Sequence, residues 1–181
     1  MYNQIYQNKE YYQYAKDILR NSEFQRRKTF LHHQDSVYEH SIRVSLVAYK
    51  MAKFLAKYIP ISIEDVVIGA LLHDFYLTPW RDSKGSLHGF RHGKIASINA
   101  NHFFPSKVND TVLDSIHRHM FPLTIIPPKY YEGWIVTLAD KYVSLEVFTK
   151  PSELPKYIGI DRLAKYPKLF YLKTKKLFSM V

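Results

Sequence analysis

The chain has 181 residues, of which 46% are hydrophobic and 23% charged, and this composition is typical of one globular domain rather than a disordered or fibrous chain. It contains no cysteine, which excludes a disulfide scaffold, a cysteine nucleophile, an iron–sulfur cluster and a thiolate zinc site. Twenty-six Lys and Arg against 16 Asp and Glu give a net charge of +10, which favours anionic partners such as nucleotides, nucleic acid or acidic lipid.

The first residues, MYNQIYQNKEYY, carry neither a basic start nor an apolar core, so we expect no signal peptide. No apolar run approaches the length of a membrane span. Together with the lack of cysteine, these features lead us to expect a cytoplasmic protein without a membrane segment.

Scarce glycine and apolar residues at three- and four-residue spacing predict a mostly helical chain. A first helix is predicted within residues 9–20, and a weaker element lies near residues 23–30. Ser36 with Glu39 three residues later predicts a capping box at the start of a long helix, which Pro60 ends.

Ser62 with Asp65 predicts a similar cap for a short helix that runs to about Asp74. A loop marked by Pro and Gly is expected over residues 79–93. Further helices are predicted over residues 94–104, 107–120 and 131–149. Helices without a convincing strand favour an all-α bundle.

Three polar residues lie on helix stripes that should face a core: His40, Asp74 and Asp140. A buried carboxylate without a partner costs several kcal/mol, so it must be paired, protonated or bound to a cation. Taken singly, each residue has an ordinary explanation. His40 would be a hydrogen-bonded core histidine, and Asp74 would pair with Arg81 or Arg91.

These explanations weaken when the residues are considered together, because further histidines lie between them. Imidazole and carboxylate are the preferred ligands of borderline divalent metals where no thiolate is available. Side chains of this kind from several helices would form a cage at the centre of a bundle. The added histidines are His73, His88, His92, His117 and His119.

The order of these residues resembles the HD-domain superfamily of metal-dependent phosphohydrolases. His40 in SVYEHSIRV, His73 and Asp74 in ALLHDF, and Asp140 in VTLADKY give the pattern H…HD…D. The resemblance implies an all-α, HD-domain helical bundle with a metal site in its core.

The resemblance covers about residues 29–150. It therefore predicts a single domain over residues 1–181, in which an HD core carries the helix of residues 9–20 and the tail of residues 151–181 as appendages.

Two further segments resemble the subgroup with a two-metal centre. FRHGKIA supplies His92, and IHRHMFPLT supplies His119 or His117. We prefer His119 because it continues an apolar stripe that includes Ile116, while His117 remains an alternative ligand or a phosphate-binding group. The complete order resembles bacterial HD proteins that hydrolyse dinucleoside polyphosphates and, more distantly, HD-GYP phosphodiesterases, although this chain has no GYP sequence.

The resemblance implies one or two divalent transition-metal ions, such as iron or manganese, with Asp74 bridging two of them. A metal-activated water would cleave a phosphomonoester, phosphoanhydride or phosphodiester bond of a nucleotide-like substrate. Asp74 is also the expected catalytic residue, because it could accept the proton of that water. The implied metal ligands are His40, His73, Asp74, His92, His119 and Asp140.

Polar residues beside these ligands are candidates for binding the phosphorylated substrate, since cations and the first turn of a helix attract phosphate. For any one of the cations, a solvated surface charge is the commoner explanation. The candidates are Lys94, His88, His117, Arg118 and Lys141. The sequence also permits a homodimer.

A second hypothesis concerns residues 165–176, where lysines alternate with aromatic residues. Such alternation suits single-stranded nucleic acid, although an ordinary amphipathic C-terminal helix is the commoner explanation. The alternative function is a non-catalytic binding module on an HD scaffold, whose basic surface engages nucleic acid or a protein partner.

Overall fold

The computed structural model describes residues 7–32, 35–77 and 88–149, with side chains described throughout except at residues 31, 32, 35, 88–90 and 146–149. Seven α-helices lie within these ranges, and the expected all-α class is confirmed. They are α1 (Lys9–Arg20), α2 (Ser22–Arg26), α3 (Val37–Leu55), α4 (Ile63–Leu72), α5 (His88–Phe103), α6 (Asp110–Arg118) and α7 (Tyr131–Thr149).

A short antiparallel strand pair, which the sequence did not predict, precedes α3. It joins β1 (Leu31–His32) to β2 (Asp35–Ser36), with Leu31 opposite Ser36. Ser36 then forms the predicted capping box. Its Oγ accepts from the Glu39 backbone N–H at 3.2 Å, and the Glu39 carboxylate accepts from the Ser36 N–H at 3.1 Å. The strand pair therefore leads directly into α3, whose first turn is fixed by the capping box.

Helix α4 lies at the centre of the described core, where it packs against α1, α3 and α6. Its residues 66–72 are all buried, which explains why this segment is almost purely apolar. Burying one Leu or Ile side chain contributes about 1.5–3 kcal/mol, so this helix supplies much of the driving force for folding. Apolar side chains packed together with α4 include Tyr11, Ile18, Ile42, Ala96, Val112 and Ile116.

The start of α7 is tied to the start of α4 by a buried carboxylate. Glu132 accepts a hydrogen bond from the Ser62 backbone N–H at 2.8 Å, and Ser62 is also the cap of α4. Since one residue serves both helices, the positions of their first turns are linked.

Contacts group the chain into two compact units, Met1–Asp140 and Lys141–Val181. Helix α7 crosses from the first unit into the second, of which the structure describes residues 141–149. The predicted tail, residues 151–181, lies outside the described residues, and the single domain over residues 1–181 stays a prediction. None of the helices in the described ranges is both long and apolar enough to cross a membrane.

Helix α4 ends two residues earlier than predicted, at Leu72, and α6 spans nine residues instead of the predicted 107–120. The Phe75 backbone N–H bonds to the Leu72 carbonyl at 3.0 Å, so the chain tightens into a turn immediately after α4. His73 and Asp74 therefore lie in a turn, not within a helix as predicted.

Helix α5 begins at His88, although the sequence predicted a loop as far as Gly93. Gly93 is helical and buried, and a Cβ atom built on it would lie 2.7 Å from the backbone oxygen of His117. This glycine allows α5 to approach α6 closely. Its presence reflects packing between two helices, which is why its interpretation as a loop marker was wrong.

We predict that Gly93→Ala destabilises the protein by about 1–3 kcal/mol, because the added methyl group meets a backbone atom that cannot move aside easily. Thermal unfolding of the variant measures this loss. Asn101→Ala, an exposed change on the same helix, should leave stability within about 0.5 kcal/mol of the parent. Equal stability of Gly93→Ala and the parent would contradict the close approach of α5 and α6.

Candidate metal centre

Two histidines occupy equivalent positions at the ends of two helices. His73 follows the last residue of α4, and His119 follows the last residue of α6. In each ring the Nδ1–H donates to the backbone carbonyl three residues earlier, Ala70 or Ile116, at 2.7 Å. Because a carbonyl only accepts, Nδ1 must carry the proton, and Nε2 of the neutral ring carries a lone pair. Both rings are thus fixed in the tautomer that presents Nε2 as a ligand atom.

Three other helices bring further polar groups to the same place. His40 projects from α3, His92 from α5 and Asp140 from α7, and all three are buried. His40 Nε2 lies 3.2 Å from Asp140 Oδ1, and His73 Nε2 lies 3.7 Å from the same oxygen. The first and last helices of the predicted core therefore meet at one cluster.

The carboxylate of Asp74 lies between two sets of imidazoles. Its Oδ2 is 3.5 Å from His73 Nε2 and 4.0 Å from His40 Nε2. Its other oxygen, Oδ1, is 3.4 Å from His92 Nε2 and 3.7 Å from His119 Nε2. One carboxylate thus places one oxygen beside each set of imidazoles, an arrangement suited to bridging two cations.

Burial and neighbouring charges shift the pKa of these histidines in opposite directions. Burial alone would lower the pKa of His40, but the hydrogen bond to Asp140 and the charges of Asp140 and Asp74 outweigh it and raise the pKa. Burial lowers the pKa of His73. Burial, together with the neighbouring His73 and His92, lowers the pKa of His119 to about 3. His73 and His119 are therefore neutral at pH 7, as a metal ligand must be.

The residues present fit a divalent metal. His73 Nε2 is fully buried and has no hydrogen-bond partner among the residues that the structure describes. Such an orphaned polar atom is rare unless an ion or water satisfies it. Two groups have ligand atoms within 4.8 Å of one another: His40, His73 and Asp74, and Asp74, His92 and His119. Neutral imidazoles with carboxylates suit iron, manganese or related ions.

The predicted substrate-binding residues, unlike the predicted metal ligands, do not all lie among the described buried residues. Lys94 and His117 are exposed. Partial desolvation by neighbouring atoms, together with the charges of Arg118 and Lys94, lowers the pKa of His117. The structure thus brings His119, and not His117, into the buried cluster. The side chain of His88 and residues 165–176 lie outside the described residues, and Lys141 follows Asp140 on α7 in the second compact unit.

Arg118, another predicted substrate-binding residue, contacts two other groups of the protein. Its Nε forms an ion pair with Asp114 at 3.0 Å, and its Nη1 donates to the Pro127 carbonyl at 3.1 Å. These bonds tie α6 to the segment before α7, and substrate binding by Arg118 stays a prediction.

Sequence reasoning missed Arg27, a fully buried arginine behind the cluster. Its Nη1 donates to the backbone carbonyl of Asp74 at 3.1 Å. Nothing in the sequence signals this, because three consecutive basic residues, Arg26 to Lys28, are typical of an exposed surface.

Comparison with known proteins adds one finding to this geometry. The family model described as HD domain matches residues 37–145, which is more than half of the chain and contains all six residues of the cluster. A search of the curated proteins finds no match to this chain.

The lowered pKa of His119 predicts acid sensitivity of chelator-treated protein. Its folded pKa, about 3, lies below the ordinary value of 6.5, so its contribution to stability is complete above pH 6.5 and falls as the pH drops toward 3. When the pH falls from 7 to 5, we expect the free energy of unfolding of the parent to decrease by about 2 kcal/mol more than that of His119→Gln. The raised pKa of His40 acts in the opposite sense, because its contribution is lost as pH rises.

Thermal unfolding at several pH values measures this slope. His102→Gln, at an exposed histidine of α5, serves as the control and should keep the slope of the parent. A slope that is the same in His119→Gln and the parent would show that His119 titrates normally.

Proposed function

Because the chain belongs to the HD domain family, whose members are generally metal-dependent phosphohydrolases, we propose that it hydrolyses a phosphate bond of a nucleotide-like substrate. The observation that carries the proposal is the placement of Asp74, whose two oxygens face two separate histidine sets. A lone structural cation would need only one of these sets.

The proposed ligands form two sets that share one residue. His40, His73 and Asp140 would hold one divalent ion, His92 and His119 would hold a second, and Asp74 would contact both. Divalent ions bound there would acidify a water molecule near neutral pH and neutralise charge on the phosphoryl oxygens. Iron, manganese or a similar ion suits this donor set.

The protein's own groups prepare the site before any substrate binds. The hydrogen bonds from Nδ1 of His73 and His119 fix both rings, so that little reorganisation accompanies ligation. The hydrogen bond between His40 Nε2 and Asp140 Oδ1 instead joins two proposed ligand atoms, so His40 would have to lose this proton when an ion binds. Side chains held rigidly in this way would keep a bound ion at a constant position relative to the substrate.

Asp74 is the proposed catalytic residue. Its carboxylate lies at the centre of the cluster, where it can accept the proton that the attacking water loses. No further base is required in this scheme.

The proposed substrate is a phosphorylated small molecule, and a nucleotide suits the net charge of +10. Lys94 and His117 are close enough for the charge of one to affect the other, and both are exposed. These two side chains are the proposed phosphate contacts. His88, Lys141, a cytoplasmic location and a homodimer stay predictions.

Asp74→Asn should abolish both metal binding and hydrolysis, because the amide cannot bridge two cations as a carboxylate does. Manganese-loaded protein would be tested against nucleotides and dinucleoside polyphosphates, with phosphate release and bound metal measured together. Asp110→Asn, an exposed aspartate in the first turn of α6, provides the matched control and should retain both properties. Turnover by metal-stripped Asp74→Asn would end the proposal.

His119→Ala should reduce bound manganese from two ions per chain to one, because it removes a ligand from the set of His92 while leaving the set of His40 complete. Metal analysis after exhaustive dialysis gives the ratio. The parent chain with a single ion, or the variant still with two, would contradict the division of ligands proposed above.

A further inference from the structure

The turn after α4 is held by donors from other parts of the chain. We call residues 73–77 the α4 exit, because they follow its last residue, Leu72. Within this segment three backbone carbonyls each accept a hydrogen bond from a distant side chain. The pairs are Arg27 to Asp74 at 3.1 Å, Asn99 to Phe75 at 2.9 Å and Arg26 to Leu77 at 2.6 Å. The α4 exit is thus fixed by side chains rather than by helix hydrogen bonds.

Arg27 is the buried member of these donors. Its side chain is 1% exposed, and its guanidinium lies between two aromatic rings, 4.0 Å from the centre of Phe24 and 4.6 Å from that of Phe75. Its Nε donates to the Phe24 carbonyl at 3.4 Å. Arg27 forms no ion pair with a carboxylate within residues 7–32, 35–77 and 88–149, and its Nη2 has no hydrogen-bond partner there.

Burying a guanidinium that forms no ion pair with a carboxylate is unfavourable, and an apolar side chain of similar size is often neutral or stabilising in such a place. A methionine would pack between Phe24 and Phe75 without this penalty. The fold alone therefore does not account for a cation here, whereas its bond to a proposed metal ligand does.

The bond to Asp74 completes the hydrogen bonding of that residue's backbone. The Asp74 carbonyl accepts from Arg27 Nη1 and, at 2.9 Å, from the Tyr76 backbone N–H, so both of its lone pairs are used. Rotation of the peptide group at Asp74 would break both bonds. These bonds therefore fix the backbone from which the Asp74 side chain projects.

We propose that Arg27 is a positioning residue, which holds the Asp74 carboxylate between the two histidine sets through the backbone of the α4 exit. This inference rests on the proposed function, since it assigns Arg27 a role toward the metal centre. Arg27 affects the binding of a divalent cation in two opposite ways. Its positive charge repels a divalent cation, whereas its hydrogen bond keeps a ligand of that cation in place.

The substitution Arg27→Met removes both effects, so the direction of the change in manganese affinity shows which of them dominates. When the chelator-treated 181-residue chain is titrated calorimetrically with manganese, we expect about ten-fold weaker binding or more, as for other losses of a hydrogen bond to a metal ligand. The melting temperature should stay the same or rise, because the buried charge is removed. Arg27→Lys retains a donor but not the planar fork, and its affinity should lie between those of Arg27→Met and the parent.

Ser45→Ala is the matched control from the same core, since it removes the buried hydrogen bond between Tyr11 and Ser45 at 2.6 Å. It should lower the melting temperature and leave manganese affinity unchanged. A merely structural role for Arg27 would give this same pattern in Arg27→Met.

Manganese binding to Arg27→Met that equals or exceeds the parent's would overturn the inference. If Arg27→Met does not fold, Arg27→Lys decides the question, and parental affinity in that variant would overturn it equally. A parent chain that binds no manganese contradicts the proposed function itself, so the two failures are distinguishable.

Discussion

Two carboxylates and four imidazoles lie buried together, and the surrounding fold must satisfy these polar groups. Groups of this kind are stable in an apolar core only when hydrogen bonds or cations satisfy them. The protein satisfies part of the set internally, through His40 with Asp140 and through the backbone bonds of His73 and His119. Among the residues that the structure describes, Nε2 of His73 has no hydrogen-bond partner, and a cation bound beside Asp74 would satisfy it.

The ligands come from places where helices end or meet closely. His73 and Asp74 follow α4, and His119 follows α6, so three groups leave their helices at points where carbonyls are free to accept from imidazole. Gly93 lets α5 approach α6 and brings His92 to 3.0 Å from His119. The position of the cluster is therefore a consequence of helix lengths and of one close packing contact.

Much of the fold and of the residue cluster could be predicted, because the relevant signals are local. The capping box at Ser36 depends on residues three positions apart, and the stripes that carry His40 and Asp140 repeat at helical spacing. The family resemblance then ordered these residues into one set, and the match over residues 37–145 confirms the family. The role of each ligand stays a prediction.

What could not be predicted depends on tertiary contacts. The early end of α4 depends on donors from Arg26, Arg27 and Asn99, none of which is close in sequence to Asp74. Arg27 looks like part of an exposed basic run until Phe24 and Phe75 are seen to enclose it. The bonds of Arg118 to Asp114 and to the Pro127 carbonyl could not be predicted from the sequence either.

Anomalous diffraction from crystals grown with manganese tests the central claim most directly, since it locates the ions without reference to activity. The account predicts two peaks about 3.5–4 Å apart, one against each oxygen of Asp74. One peak would have His40, His73 and Asp140 as neighbours, and the other would have His92 and His119. A single peak away from Asp74, or no peak within the cluster at saturating manganese, would contradict it.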